Sequence, residues 1–177
     1  MVSYGTPDSL HTYLGSDLAV WALLAERPAD ARASLADLLA HSSSTLGQAE
    51  IFSSHTRDFG ANLPPHGTAA AQLVELVRDM IVMDVRDTID VAAGGDLSWW
   101  AGTTLMRMPT RFGTLDLKLT RPAPGRLVAS WSDVTVPLRV RVPDGVRLDA
   151  VEGAAMPERG SRWVTCGTGQ NRVALQV

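Results

Sequence analysis

The sequence predicts an α+β protein in which an N-terminal helical segment is followed by a small antiparallel β-sandwich. Two observations support this prediction. Apolar residues recur at helical spacing before Gly94 and Gly95, and they alternate with polar residues after them. We therefore predict two domains, a helical segment over residues 1–94, with a long loop at 42–67, and a β-sandwich-like domain over residues 95–177.

Three helices are predicted in the first domain. The first spans residues 17–26, where apolar side chains return every three or four positions. Pro28 interrupts this pattern and suits the first turn of a second helix over residues 29–41. The third helix, over residues 68–83, is apolar around most of its circumference, which is typical of a helix buried among other helices.

Short strands are predicted in the second domain. Leu115, Leu117 and Leu119 fall on one face of a strand over residues 114–120. Residues 136–142 show the same alternation, and a final strand is expected over residues 173–177. Proline and glycine pairs between these runs mark turns, as in a small sandwich or barrel.

Composition narrows the classes of function. Residues 1–97 carry 13 acidic and 5 basic side chains, whereas residues 98–177 carry 6 and 11, but the basic ones are spread along strands rather than clustered. We therefore expect no nucleic-acid partner. No apolar run is long enough to span a bilayer, and no secretory signal is visible, which favours a cytoplasmic location.

The chain has one cysteine, Cys166, so no disulfide can form within it. Cys166 lies in a strand-like run, where a free cysteine usually acts as a small hydrophobic residue. No cysteine–histidine group has the spacing of a zinc site. The sequence predicts no metal and no cofactor.

The stretch from Ser42 to Gly67 is far longer than the connections of about 2–8 residues that usually join helices in compact domains. Loops of this length are often functional. Glu50 and Asp58 can accept hydrogen bonds from hydroxyl groups, and the loop also holds the donors Arg57 and Asn62. These groups match a sugar or another polyhydroxylated ligand.

Several short sequence segments resemble the late helical hairpins of the (α/α)6-toroid, or six-hairpin, glycoside hydrolases. They are the segments 38–46, 49–51, 66–71 and 76–82. The segments 99–102, 107–113 and 140–145 resemble the small β-domain that follows the toroid in that family. The chain is too short for the dozen or so helices of a complete toroid. The resemblance therefore implies the C-terminal portion of such an enzyme, a separately encoded piece of one, or a reduced descendant.

Candidate site residues follow from the loop and from sugar chemistry. Glycoside hydrolysis generally needs two carboxyl groups, and Glu50 and Asp58 are the carboxylates of the 42–67 loop, so they are the candidate catalytic pair. The candidate substrate-binding residues are His55, Arg57, Asn62, His66 and Trp99. Structural alternatives are also open: Asp58 can form a turn, Glu50 can cap a helix or pair with Arg57, and His66 can bond at a helix start.

Two functions from different classes remain open. The first is a glycan- or oligosaccharide-binding or -processing protein that contacts its ligand through residues 49–67, with catalysis left open. The second is a non-catalytic interaction or scaffolding module. Its apolar helical face would dock onto another copy of the chain, forming a homo-oligomer, or onto an upstream partner chain. A small-molecule site unrelated to sugars is a third possibility.

Overall fold

The structure, a computed structural model, describes residues 2–4, 6–56, 58–61, 64–153 and 155–177. The chain forms two compact units, an N-terminal unit (Met1–Met80) and a C-terminal unit (Ile81–Val177). The predicted domains, 1–94 and 95–177, stay a prediction, because compactness alone does not show which segments fold independently. No helix among the described residues is both long enough and apolar enough to cross a bilayer.

The N-terminal unit combines three helices with a four-stranded antiparallel sheet. The helices are α1 (Thr12–Leu24), α2 (Pro28–Ala40) and α3 (Gly67–Ile81), the last of which ends one residue into the C-terminal unit. The strands lie in chain order across the sheet, as β1 (Val2–Tyr4), β2 (Thr6–His11), β3 (Ile51–Ser53) and β4 (Phe59–Ala61). β2 and β3 pair with Leu10 opposite Phe52.

Large apolar side chains form the core of the N-terminal unit. Phe52 is 1% exposed, and its ring stacks on the imidazole of His41 with 4.3 Å between centroids. Leu38 of α2 and Leu76 of α3 are also buried. As predicted, Pro28 occupies the first turn of α2, where its missing N–H leaves no hydrogen bond unmade.

The C-terminal unit consists of two five-stranded sheets. The strands of the first sheet are β5 (Val82–Met83), β6 (Ile89–Val91), β10 (Leu138–Arg141), β12 (Met156–Pro157) and β13 (Trp163–Cys166). Those of the second are β7 (Thr104–Thr110), β8 (Gly113–Ala123), β9 (Arg126–Trp131), β11 (Ala150–Glu152) and β14 (Arg172–Gln176). The first sheet has the order β12-β13-β10-β6-β5, and the second has the order β11-β14-β9-β8-β7.

The two sheets of the C-terminal unit share one hydrophobic core. The predicted alternation of β8 is confirmed, because Leu115, Leu117 and Leu119 are all buried in this core. Trp100, in a short 3-10 helix (Leu97–Ala101), is fully buried there. Cys166 is buried in β13, as predicted, and burial raises the pKa of its thiol to about 11, which keeps it protonated at neutral pH.

The predicted fold class, helical hairpins of a toroid-like fragment followed by one antiparallel β-sandwich, is wrong. Much of the chain is sheet: the four strands β1–β4 lie in the segment that was predicted to be helices and loops. In addition, β6 and β10 pair in parallel, so the first sheet of the C-terminal unit is mixed. Strands of three residues, such as β3 and β4, show no periodicity, and long-range pairing rather than local propensity forms them.

A buried ion pair joins the parallel strands of the mixed sheet. Asp90 of β6 lies opposite Arg139 of β10 and accepts two hydrogen bonds from its guanidinium, at 2.8 and 2.6 Å. The side chains are 4% and 14% exposed. The Thr88 hydroxyl also donates to Asp90, at 2.9 Å. The charge of the Asp90 carboxylate is therefore balanced by the guanidinium and by hydrogen bonds. Removing this carboxylate would leave the mostly buried Arg139 cation with weaker partners.

We expect Asp90→Ala to lower the free energy of unfolding by about 3 kcal/mol, the lower part of the range for removing one partner of a buried pair. Urea denaturation followed by tryptophan fluorescence measures this change, since four of the five tryptophans lie after residue 81. The matched control is Asp149→Ala, which removes an exposed ion pair with Arg147. In that pair the Asp149 side chain is 51% exposed and the Arg147 side chain 88%. Equal effects of the two substitutions would contradict the structural role of Asp90.

Candidate functional site

The backbone of residues 48–50 holds together the starts of two helices. Thr12, the first residue of α1, donates its N–H to the carbonyl oxygen of Glu50 at 3.0 Å and its hydroxyl to the carbonyl oxygen of Ala49. His66, just before α3, donates its N–H to the carbonyl oxygen of Gln48 at 2.8 Å. Residues at both helix starts are thereby placed beside Glu50.

The segment is itself anchored by a buried glutamine. Gln48 is 1% exposed, and its side-chain amide donates to the Ser42 hydroxyl and to the carbonyl oxygen of Leu46, the latter at 3.4 Å. Gly47 is confined as well, because a Cβ there would lie 3.0 Å from Ser43 Oγ and 3.3 Å from Pro64 Cβ. Buried hydrogen bonds and close packing therefore fix the path of the chain into Glu50.

The carboxylate of Glu50 lies between two imidazole rings. Glu50 Oε1 is 3.7 Å from Nε2 of His11, and Oε2 is 3.8 Å from Nε2 of His66. Both distances exceed those of a direct hydrogen bond but allow strong electrostatic attraction to a protonated ring. The three side chains range from buried to accessible, since His11 is 3%, Glu50 21% and His66 22% exposed.

Tyr13, in the first turn of α1, places an aromatic ring against both histidines. Its ring meets that of His11 edge to face, with 4.1 Å between centroids and an interplanar angle of 87°. It lies roughly parallel to the ring of His66, at 6.3 Å and 27°. We call these four residues, His11, Tyr13, Glu50 and His66, the Glu50 cluster.

The start of α3 determines which nitrogen of His66 carries the proton. Nδ1 of His66 accepts a hydrogen bond from the backbone N–H of Ala69 at 3.3 Å. A nitrogen that accepts a hydrogen bond carries no proton, so the neutral ring has its proton on Nε2. That N–H is on the nitrogen nearest Glu50. His66 therefore serves as a helix cap and presents a donor to the cluster.

The surroundings of His11 disfavour its charged form. Burial lowers the pKa of His11 below its usual value of 6.5, and the neighbouring His66 also lowers it, whereas the Glu50 carboxylate raises it. Burial has the largest effect. His11 is therefore the member of the cluster whose neutral form the fold stabilises.

The cluster can bind hydroxyl groups and can exchange protons with a bound ligand. A carboxylate accepts hydrogen bonds, and imidazole nitrogens donate or accept according to their protonation state. A metal site is not indicated, because no group of three or more histidine, cysteine, aspartate or glutamate residues in the described part of the chain could hold an ion.

The structure brings two of the predicted site residues together, Glu50 and His66. His55 lies in the exposed turn between β3 and β4, and Asp58 follows that turn. The backbone groups of both residues form hydrogen bonds within this short segment, with Ser53 and Thr56. These contacts are made by the backbone of Asp58, and a catalytic role for its carboxylate stays a prediction. Arg57 and Asn62 lie outside the described residues.

Trp99 belongs to the C-terminal unit and is half-buried in the 3-10 helix. Its ring covers Gly95, where a Cβ would lie 3.3 Å from Trp99 Cε3. The six-membered ring of the indole therefore lies close to the backbone at Gly95. A sugar-stacking role for Trp99 stays a prediction.

Sequence reasoning missed His11 and Tyr13. Both lie about forty positions before Glu50, and the pairing of β2 with β3 brings them to it, with His11 opposite Ile51. No spacing rule connects residues across such a distance. The one local signal is the polar run His11-Thr12 immediately before a helical pattern, which is common at helix starts.

Comparison with known proteins does not assign the chain to a family. No protein-family model matches the chain, and no curated protein sequence matches it significantly.

The lowered pKa of His11 predicts a pH dependence of stability. Between the folded and unfolded pKa values the unfolded chain binds a proton that the folded chain does not, so the free energy of unfolding falls as pH drops below about 6.5. We expect His11→Asn to flatten this decline, as measured by urea unfolding at several pH values from about 7.5 to 5.5, one unit to either side of the ordinary histidine pKa.

The control is His55→Asn, which replaces an exposed histidine of the β3–β4 turn. It should leave the pH dependence as in the wild type. A slope that His11→Asn leaves unchanged would mean that His11 does not contribute to it.

Proposed function

We propose that the protein binds a polyhydroxylated ligand, a glycan or oligosaccharide, at the Glu50 cluster. The observation that supports this most is the position of the Glu50 carboxylate, 3.7 and 3.8 Å from two imidazole nitrogens and still 21% exposed. Carboxylate and imidazole groups together offer both acceptors and donors to adjacent hydroxyls. The ring of Tyr13 adds an apolar surface of the kind that packs against sugar rings.

The cluster favours binding over two-carboxylate hydrolysis. Retaining and inverting glycosidases place their carboxyl groups about 5–10 Å apart across the scissile bond. Two histidines lie within 4 Å of the Glu50 carboxylate, and the backbone contacts of Asp58 are those of a turn. A catalytic role for Glu50 would use His66 or His11 as its proton partner.

The interaction or scaffolding function remains the alternative. Some apolar side chains of the N-terminal unit are exposed: Trp21 is 67%, Leu18 56% and Val74 70% exposed. Trp21 and Leu18 lie three residues apart on α1 and so share a face of that helix. A homo-oligomer or a partner chain that covers this face stays a prediction.

The binding proposal predicts that the full chain binds at least one glycan on a glycan array, and that Glu50→Gln weakens this binding by about tenfold or more. The expected factor follows from the roughly 1.5–3 kcal/mol that a hydrogen bond to a charged group contributes. Isothermal titration with the glycan that gives the strongest array signal measures the change.

The matched control is Glu75→Gln, the same chemical change at an exposed position of α3. It should bind as the wild type does. Urea midpoints for both variants within error of the wild type would exclude loss of fold as the cause. Absence of binding to every glycan, or equal binding by the Glu50→Gln variant, would refute the proposal.

A further inference from the structure

A second candidate site lies in the C-terminal unit, on the face of the second sheet that points away from the core. A shallow groove of about 470 Å³, broadly open to solvent, runs over β7, β8 and β9. This volume is within the range of about 300–1,000 Å³ that is typical of small-molecule sites. Its polar lining residues are Thr104, Asp116, Lys118, Ser130 and Ser132.

Strand register places these side chains in two rows. Thr104, Lys118 and Ser130 lie opposite one another across the three strands. Asp116 is two residues before Lys118 and therefore lies on the same face of β8. Ser132 lies beside Asp116 and donates its N–H to the carbonyl oxygen of Asp116 at 3.0 Å. With strands about 4.8 Å apart, the rows cover roughly 10 by 7 Å, about the size of one substituted sugar ring.

Lys118 is the single lysine of the chain, whose other basic side chains are all arginines. Most of the C-terminal unit's ion pairs use those arginines, as between Arg126 and Glu152 at 2.6 Å. Among the described residues, Lys118 makes no ion pair or hydrogen bond through its ammonium group. The groove therefore holds a cation whose charge is not balanced by a contact within the described structure.

A β-bulge orients the carboxylate of Asp116. The pairing of β7 with β8 is interrupted between Leu105 and Met108, and Arg107, inside the bulge, has a φ of 55°. This conformation is uncommon for a residue other than glycine. It directs the N–H of Arg107 to Oδ1 of Asp116, at 2.6 Å. Within the described part of the chain Oδ2 accepts no hydrogen bond, so it can receive one from a ligand.

We propose that this groove binds a small anion that also carries hydroxyl groups, such as a sugar acid or a sugar phosphate. The anionic group would contact Lys118, and a hydroxyl would donate to Asp116. A simple inorganic anion would meet Lys118 but would be repelled by Asp116, whereas a neutral sugar would leave the lysine without a counter-charge. The hydroxyls of Thr104 and Ser130 flank Lys118 and can donate to the same anion.

The test is an NMR titration of the ¹⁵N-labelled full chain with four probes: glucuronate, glucose 6-phosphate, glucose and inorganic phosphate. We expect glucuronate or glucose 6-phosphate to shift the amide signals of Thr104, Lys118 and Ser130. We also expect the bound probe to have at least about tenfold higher affinity than glucose or inorganic phosphate, as a charged hydrogen bond predicts. The first two probes distinguish a carboxylate ligand from a phosphate ligand.

Lys118→Gln should weaken the binding by about tenfold or more, and Lys118→Arg should retain most of it, because charge is kept. The control is Arg121→Gln, which removes an exposed cation from the same strand outside the groove. Asp116→Asn should reduce the preference for the hydroxylated anions over inorganic phosphate.

Three results would overturn the proposal: no shift at these amides with any probe, equal affinity for inorganic phosphate and the hydroxylated anions, or unchanged binding by the Lys118→Gln variant. The proposal does not depend on glycan binding at Glu50. Glu50→Gln should leave these titrations unchanged, so failure at one site is distinguishable from failure at the other.

Discussion

The hydrogen bonds that the backbone of residues 48–50 accepts from Thr12 and His66 are the constraint on which the candidate site depends. Each bond ties the start of a helix to the same short segment, so two histidines and a tyrosine distant in sequence meet at one carboxylate. Buried backbone groups need partners, and these bonds satisfy three carbonyl oxygens at once. The segment therefore stabilises the fold of the N-terminal unit and positions the side chains that would contact a ligand.

The same contacts give the histidines different roles. His66 is held by the helix start, which assigns its proton to the nitrogen that faces Glu50. His11 is held by burial, which disfavours its charge. A carboxylate between a donor of fixed orientation and a mostly buried, neutral ring is an arrangement suited to recognising hydroxyl groups near neutral pH.

Part of this organisation is readable from the sequence. The alternation of Leu115, Leu117 and Leu119 predicted a strand and its buried face, because successive side chains of a strand point to opposite faces of the sheet. Pro28 predicted the start of α2 for an equally local reason. The length and polarity of residues 42–67 predicted Glu50 and His66 as site residues, and they do lie together.

The rest depends on contacts between distant segments. The sheet that contains β3 was not predictable, since its short strands exist only through pairing with β2. His11 and Tyr13 were missed for the same reason. The groove over β8 depends on the register of three strands and on a bulge, neither of which a single sequence specifies.

The position of Glu50 between His11 and His66 is tested most directly by nuclear Overhauser contacts between their side-chain protons. In the full chain at neutral pH, the structure predicts that the γ protons of Glu50 show contacts to ring protons of both histidines. Ring protons of Tyr13 should also show contacts to His11. If the Glu50 protons showed contacts to neither imidazole, the cluster would not exist in solution, and the binding site built on it would be contradicted.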